Sequence, residues 1–146
     1  MMDAIRVKKL RENAVIPTYG SGEAAGADLY ACLEENVEIQ PGQTVMIPTG
    51  LAMEIPSGHA GLIFARSSMG AKRGLAPANK VGVIDADYRG EFMVALHNHS
   101  QQVQIVAPGE RVAQLVVVPV VTPGFAQVEE LTDTVRCAGG FGSTGK

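Results

Sequence analysis

Glu91-Phe92-Met93-Val94-Ala95-Leu96-His97-Asn98 reads as a β-strand. Phe92, Val94 and Leu96 fall on one face and Glu91, Met93 and His97 on the other, the period of two that a half-buried strand requires. Segments of the same kind flank it. Upstream run Ile5–Val7, Ala27–Cys32, Val37–Ile39, Thr44–Ile47 after a Pro41-Gly42 turn, Leu51–Ile55 and His59–Ala65. Pro56-Ser57-Gly58 between the last two predicts a hairpin connection. Downstream, Val112–Val120 is apolar almost without interruption, which predicts a strand covered on both faces. In a small β-protein such extra cover often comes from a neighbouring subunit, so this run points to an oligomer. One helical piece is expected, Ser67–Arg73, with a serine capping its first turn and Gly74 ending it. The 17 glycines and 8 prolines fall between the apolar runs, as the turns of an all-β chain would place them.

Length and charge narrow the function. A chain of 146 residues suits one domain, and 46% hydrophobic residues against 18% charged ones argue for a packed core rather than disorder. No repeat, charge block or linker marks a boundary. The net charge of −3 disfavours a broad nucleic-acid-binding surface, yet leaves room for one anionic ligand held by a few local arginines. Cys32 and Cys137 lack metal or redox spacing and read as free thiols in a reducing compartment. The opening residues lack the apolar stretch of a signal peptide, and no apolar run reaches membrane-spanning length. The expectation is a soluble, cytoplasmic protein with neither a membrane nor a nucleic acid as partner.

Several stretches can carry chemistry. Gly26-Ala27-Asp28 puts a carboxylate beside small residues; magnesium favours one or two carboxylates with water and phosphate oxygens, although an aspartate there more often just makes a turn. Arg66-Ser67-Ser68 joins an arginine fork and serine hydroxyls at the start of a helical turn, a combination suited to phosphate. Gly82 to Gly90 holds Asp85, Asp87, Tyr88 and Arg89; either aspartate can serve as a general base, and the residues alone do not choose between them. Gly140–Lys146 has the G-x-x-x-x-G-K spacing of a phosphate loop, but no hydrophobic strand leads into it. What remains is a glycine-rich arm whose amides, with Ser143 and Thr144, can wrap phosphates, and whose Phe141 suits a flat apolar partner such as a nucleobase. His97 and His99 share a strand face but lack a third ligand nearby, so ordinary surface or core histidines are expected.

Taken in order, Ala25–Tyr30, Arg66–Gly70, Gly82–Gly90, Gly109–Leu115 and Arg136–Gly145 resemble the five motifs of the trimeric dUTPases. The likeness covers almost the whole chain. It implies hydrolysis of dUTP to dUMP and pyrophosphate with Mg²⁺, an activity that limits uracil entry into DNA. It also implies a distorted jelly-roll β-barrel over residues 1–134 and a C-terminal arm, 135–146, in a homotrimer with sites between subunits. By the same resemblance Asp85 is the base and Asp28 the magnesium carboxylate, acting through a water. Ser67 sits near the bridging oxygen, and Arg66, Ser68 and Gln114 lie on the phosphate side. Asn79 and the hairpin backbone at Gly82, Val83 and Ile84 read uracil. Tyr88 packs under deoxyribose and Met93 contacts the nucleotide. Arg136 meets the γ-phosphate, with Phe141 over the base and Gly142, Ser143 and Thr144 beside it in the arm.

Two positions depart from the family's pattern: Ser68 and Cys137 stand where glycine is usual, and Cys137 gives up glycine's freedom at positive φ. The rival readings are a dCTP deaminase, or a bifunctional deaminase–dUTPase, which would use a glutamate at the pyrimidine ring, and a non-catalytic dUTP sensor.

Overall fold

Phe92, Val94 and Leu96 are each at most 1% exposed, so the face read from alternation is the core face. The computed structural model describes residues 2–145; Met1 and Lys146, the last position of the Gly140–Lys146 stretch, lie outside the described residues. Among the described residues there are twelve strands: β1 (Arg6–Lys9), β2 (Thr18–Tyr19), β3 (Ala27–Tyr30), β4 (Val37–Ile39), β5 (Thr44–Pro48), β6 (Leu51–Glu54), β7 (His59–Phe64), β8 (Leu75–Pro77), β9 (Gly82–Ile84), β10 (Met93–Asn98), β11 (Gln104–Val106) and β12 (Arg111–Pro119). Every pairing is antiparallel. They form sheets of order β2-β3-β12-β7-β9, β5-β10-β8, β1-β6 and β4-β11 around one core that includes Leu29, Ile39, Ile47, Leu51, Phe92 and Val112.

The hairpin expected at Pro56-Ser57-Gly58 does not form. The turn is there, with the His59 N–H donating to Pro56 O at 3.1 Å and Gly58 at φ 76°. Its two strands, however, enter different sheets: β6 pairs with β1, and β7 with β12 and β9. The long apolar β12 offers β7 a ladder from Gln114↔Phe64 to Pro119↔His59, and that ladder outcompetes the local partner. The β12 run is covered unevenly. Val112, Ala113 and Leu115 are buried, but Val116 to Val118 are only half-buried and Val120 is exposed in the single chain.

Among the described residues the one helical element is a five-residue turn of π-helix, Ser68–Lys72. Ser67 precedes it with helical angles (φ −55°, ψ −45°) and no side-chain capping bond, so the expected serine cap is absent. A capping serine needs extended angles to turn its hydroxyl onto the first amides. Gly74, at φ 67°, ends the turn as expected.

Asn98 is the polar hub of the barrel. Fully buried, it donates through Nδ2 to Ile39 O at 2.8 Å and Gln102 O at 2.7 Å, while its Oδ1 accepts from the Ser100 N–H and hydroxyl. Asn98→Ala strands several buried groups and should cost about 3 kcal/mol. Urea denaturation checks this; a loss comparable to that of an exposed substitution would mean water replaces the amide.

Candidate active site

The five-stranded sheet builds a polar cleft at one end. Asp28 on β3 pairs in register with Gln114 on β12, and Gln114 with Phe64 at the end of β7. The chain then leaves β7 through Ala65 into Arg66, Ser67 and Ser68. Asp28 Oδ1 accepts from Arg66 Nε at 2.7 Å, Oδ2 accepts from Arg111 Nη1 at 3.4 Å, and Arg66 Nη1 donates to Ser68 Oγ at 3.2 Å. Gln114 Nε2 donates to Ala65 O at 2.9 Å. With Gly20, Ala24 and Gly26, the residues Asp28, Arg66, Ser67, Ser68 and Gln114 line a cleft of about 350 Å³.

A β-bulge makes this convergence possible. Arg111 pairs with Tyr30 and Gln114 with Asp28, with an extra residue taken up between Arg111 and Ala113. Residues three apart on a regular strand face opposite ways; the extra residue turns both onto the face of Asp28.

A second, smaller pocket of about 140 Å³ is lined by Asn79, Gly82, Val83, Ile84 and Met93, with Met46, Ile63, Pro77, Val94 and Ala95. Gly82–Ile84 belongs to no hairpin: it is β9, the edge strand of the large sheet, paired only with β7. Its other edge therefore offers unpaired backbone donors and acceptors. Asp85 follows directly and opens a turn in which the Tyr88 N–H donates to Asp85 O at 3.2 Å. The Tyr88 hydroxyl donates to Glu91 O at 2.8 Å, and its ring lies 6.0 Å from that of Phe92. Arg89 is a pairing charge, donating to Ala86 O at 2.7 Å and lying 3.9 Å from Glu54.

The cleft and the pocket share no lining residue. Antiparallel pairing sets Ile84 opposite Gly61, which puts Asp85 level with Ala60, six residues before Arg66. At about 3.3 Å per residue, Asp85 and Arg66 are on the order of 20 Å apart within one chain. The arm meets neither. Arg136 Nε bonds Gly139 O at 2.6 Å, Phe141 is fully exposed, and Ser143 bonds Gly140 through its backbone. His97 and His99 touch edge to face at 4.5 Å, and His97 Nδ1 is 2.8 Å from the Thr44 hydroxyl. No group of three or more His, Cys, Asp or Glu gathers among the described residues.

A dUTPase family profile matches residues 12–145. The deoxyuridine 5'-triphosphate nucleotidohydrolase of Acinetobacter baumannii is 52% identical over 132 residues, 90% of this chain and 88% of the relative. The chain belongs to the dUTPase family. The enzyme of that name from Syntrophotalea carbinolica is 45% identical over 141 residues, 97% of this chain and 96% of the relative. Among solved structures, a mutant dUTPase of Staphylococcus bacteriophage 80alpha with dUpNHpp superposes with a TM-score of 0.86 at 29% identity, covering 99% of this chain and 100% of that one. A mutant dUTPase from phage phi11 of S. aureus, described as revealing the coordination of a structural Mg(II) ion, gives 0.79 at 28% identity over 90% and 100%. The fold is accordingly the jelly-roll β-barrel expected from the motifs.

Arg111 is the site residue that sequence reasoning missed. It stands inside a recognised motif, but only the bulge reveals that it faces Asp28. Ser68 is used rather than merely tolerated, since its hydroxyl accepts from Arg66. Cys137 adopts φ 47° despite its side chain, held by its N–H to Thr134 Oγ1 at 3.1 Å.

A Cβ at Gly26 would lie 2.3 Å from Gln114 Oε1, so the Gln114 side chain would have to move. Gly26→Ala should therefore destabilise the chain by about 1–3 kcal/mol, and adding Gln114→Ala should recover most of that loss. Chemical denaturation of the three variants tests the pair; a loss that Gln114→Ala leaves untouched would place the collision elsewhere.

Proposed function

We infer that this chain hydrolyses dUTP to dUMP and pyrophosphate, and that it does so as a homotrimer whose sites are completed between subunits. Asp85 is the general base: its carboxylate takes a proton from a water whose oxygen bonds the α-phosphorus. The bond from that phosphorus to the bridging oxygen breaks, and pyrophosphate leaves. Arg66, Ser68 and Gln114 hold the phosphate side of the cleft, with the Ser67 hydroxyl near the bridging oxygen. Donors aimed at charge that grows in the transition state are worth more than donors that bind the ground state alone.

Uracil is held in the small pocket by Asn79 and the free edge at Gly82, Val83 and Ile84, with Met93 against the nucleotide and Tyr88 under the sugar. A pocket of about 140 Å³ is of the size of a single pyrimidine ring. No glutamate lines it, which weighs against a deaminase that activates water at the ring. The arm supplies Arg136 to the γ-phosphate, Phe141 over the base, and Gly142, Ser143 and Thr144 around the phosphates.

The donor set fits magnesium. Asp28 lines the cleft and spends one bond per oxygen on guanidinium groups, whereas an ionised carboxylate has about four lone-pair sites. It can thus take a metal-bound water while phosphate oxygens supply the direct ligands, the usual arrangement for this ion. When bound, the metal neutralises the polyphosphate charge. Cys32 and Cys137, both free thiols, suit a reducing cytoplasmic setting.

One observation carries the trimer reading: Asp85 and Arg66 sit at opposite ends of their paired strands, and only another copy can bring such residues together. The half-buried Val116 to Val118 are consistent with cover by that copy.

Pyrophosphate release tests the assignment. Asp85→Asn should still bind dUTP while turning over about 10²–10⁴-fold more slowly; undiminished release would discard Asp85 as the base, and no release by the unaltered protein with Mg²⁺ would discard the activity. Removing residues 139–146 should abolish most turnover and leave the barrel's thermal transition in place, whereas a truncated chain at full rate would rule out a role for the arm.

A further inference from the structure

We propose that Arg73 and Glu110, neither of which lines the cleft, are positioning residues: their ion pair fixes the far end of the Ser68–Lys72 turn so that Ser67 and Ser68 stay aimed at the phosphates. The proposal rests on the reading of Arg66, Ser67 and Ser68 as the phosphate side.

A turn of five residues cannot hold its own shape in water, because helical segments that short gain too few hydrogen bonds to offset their ordering. Its near end is tied down by Arg66 on Asp28. Its far end depends on Arg73, the residue that closes it with a backbone N–H to Met69 O. The Arg73 guanidinium reaches four acceptors: Gln104 Oε1 at 3.3 Å, Met69 Sδ at 3.3 Å, Ile105 O, and the Glu110 carboxylate. The second Glu110 oxygen accepts the Ala107 N–H at 2.9 Å, so the carboxylate is fixed to its own loop. The next residue, Arg111, donates to Asp28.

The contacts therefore close a ring that runs from Asp28 to Arg66, through the turn to Arg73, across to Glu110, and by one peptide bond to Arg111 and back to Asp28. Isolated surface pairs contribute little. This pair differs in that both side chains are about 30% exposed and each holds further partners in a planar, fork-like geometry that lysine cannot copy. Met69, 2% exposed, pins the middle of the turn into the core, so slack at the Arg73 end is passed to the serines at the other.

Displacing a group that meets the leaving oxygens lowers kcat more than it lowers affinity. Arg73→Ala should cut kcat for dUTP roughly tenfold or more, while affinity for dUMP, which lacks the outer phosphates, stays within about twofold. Arg73→Lys should restore only part of the rate. Glu110→Gln keeps the shape and removes the charge; it should reproduce the loss, and it keeps the test alive if Arg73→Ala fails to fold. The double variant should be no worse than the worse single one. Unchanged kcat in variants with a lowered Tm, an equal loss of dUMP affinity, or additive losses in the double variant would each overturn the proposal. Ser67→Ala run in parallel separates the two levels. If it lowers turnover and Arg73→Ala does not, the clamp alone is wrong; if it leaves turnover intact, the phosphate-side reading fails as well.

Discussion

Burying the Asp28 carboxylate is possible only because two guanidinium groups meet it. Its side chain is 12% exposed, and removing one partner from a buried pair costs about 3–5 kcal/mol, far more than the pair adds over an apolar substitute. That requirement propagates. Arg66 must stand at the exit of β7, and Arg111 must face the same way as Gln114, which forces the bulge at the start of β12. Gln114 then crowds position 26 so closely that a Cβ there would have to push its side chain aside. The cleft is the space these constraints leave open. Its positive rim follows from the need to neutralise a carboxylate, so the charge proposed to meet an anionic substrate is one the fold already requires.

The same sheet sets Asp85 apart from the cleft. Antiparallel pairing sends the β9 edge and Asp85 away from the end where Arg66 emerges. After Pro119 the chain leaves the barrel, and residues 121–138 are exposed throughout, including Val121, Phe125, Leu131 and Val135. This exposed stretch starts ahead of residue 135, where the arm was expected to begin. Apolar side chains in such number are unusual on a free surface. Asp85 set apart from the cleft, together with an uncovered apolar tail, is the geometry expected of a subunit, which is the physical content of the trimer proposal.

How much of this was legible in the sequence depends on which physical scale wrote each feature. Strand β10 was plain because its face is buried along its whole length, and β4, β5 and β12 were found within a residue or two. Strands β2, β8, β9 and β11 were not singled out as strands; at two or three residues each, they show no period. Partner choice was illegible where a local and a distant strand compete, as at Pro56–Gly58. The motifs revealed which residues gather in the cleft, since Asp28, Arg66, Ser67, Ser68 and Gln114 do meet. They could not reveal Arg111, because a bulge leaves no mark in composition. Nor could they reveal that Asp85 stands apart, because register is a property of pairing.

The arm shows what a departure from pattern costs. Cys137, Phe141, Gly142 and Gly145 all have positive φ, so the segment is a chain of tight turns rather than a loose coil. A non-glycine residue in that region is disfavoured by about 1–2 kcal/mol. At Cys137 local bonds offset part of this, with the N–H held by the Thr134 hydroxyl and the thiol by Thr134 O at 2.8 Å. The arm is thus already bent next to Arg136, the residue proposed to meet the γ-phosphate. Glycine at 137 would adopt the same positive φ without that strain, so cysteine is the costlier residue for the turn. The Thr134 bonds are therefore what makes a cysteine tolerable here: they return part of what its side chain costs and keep the turn beside Arg136.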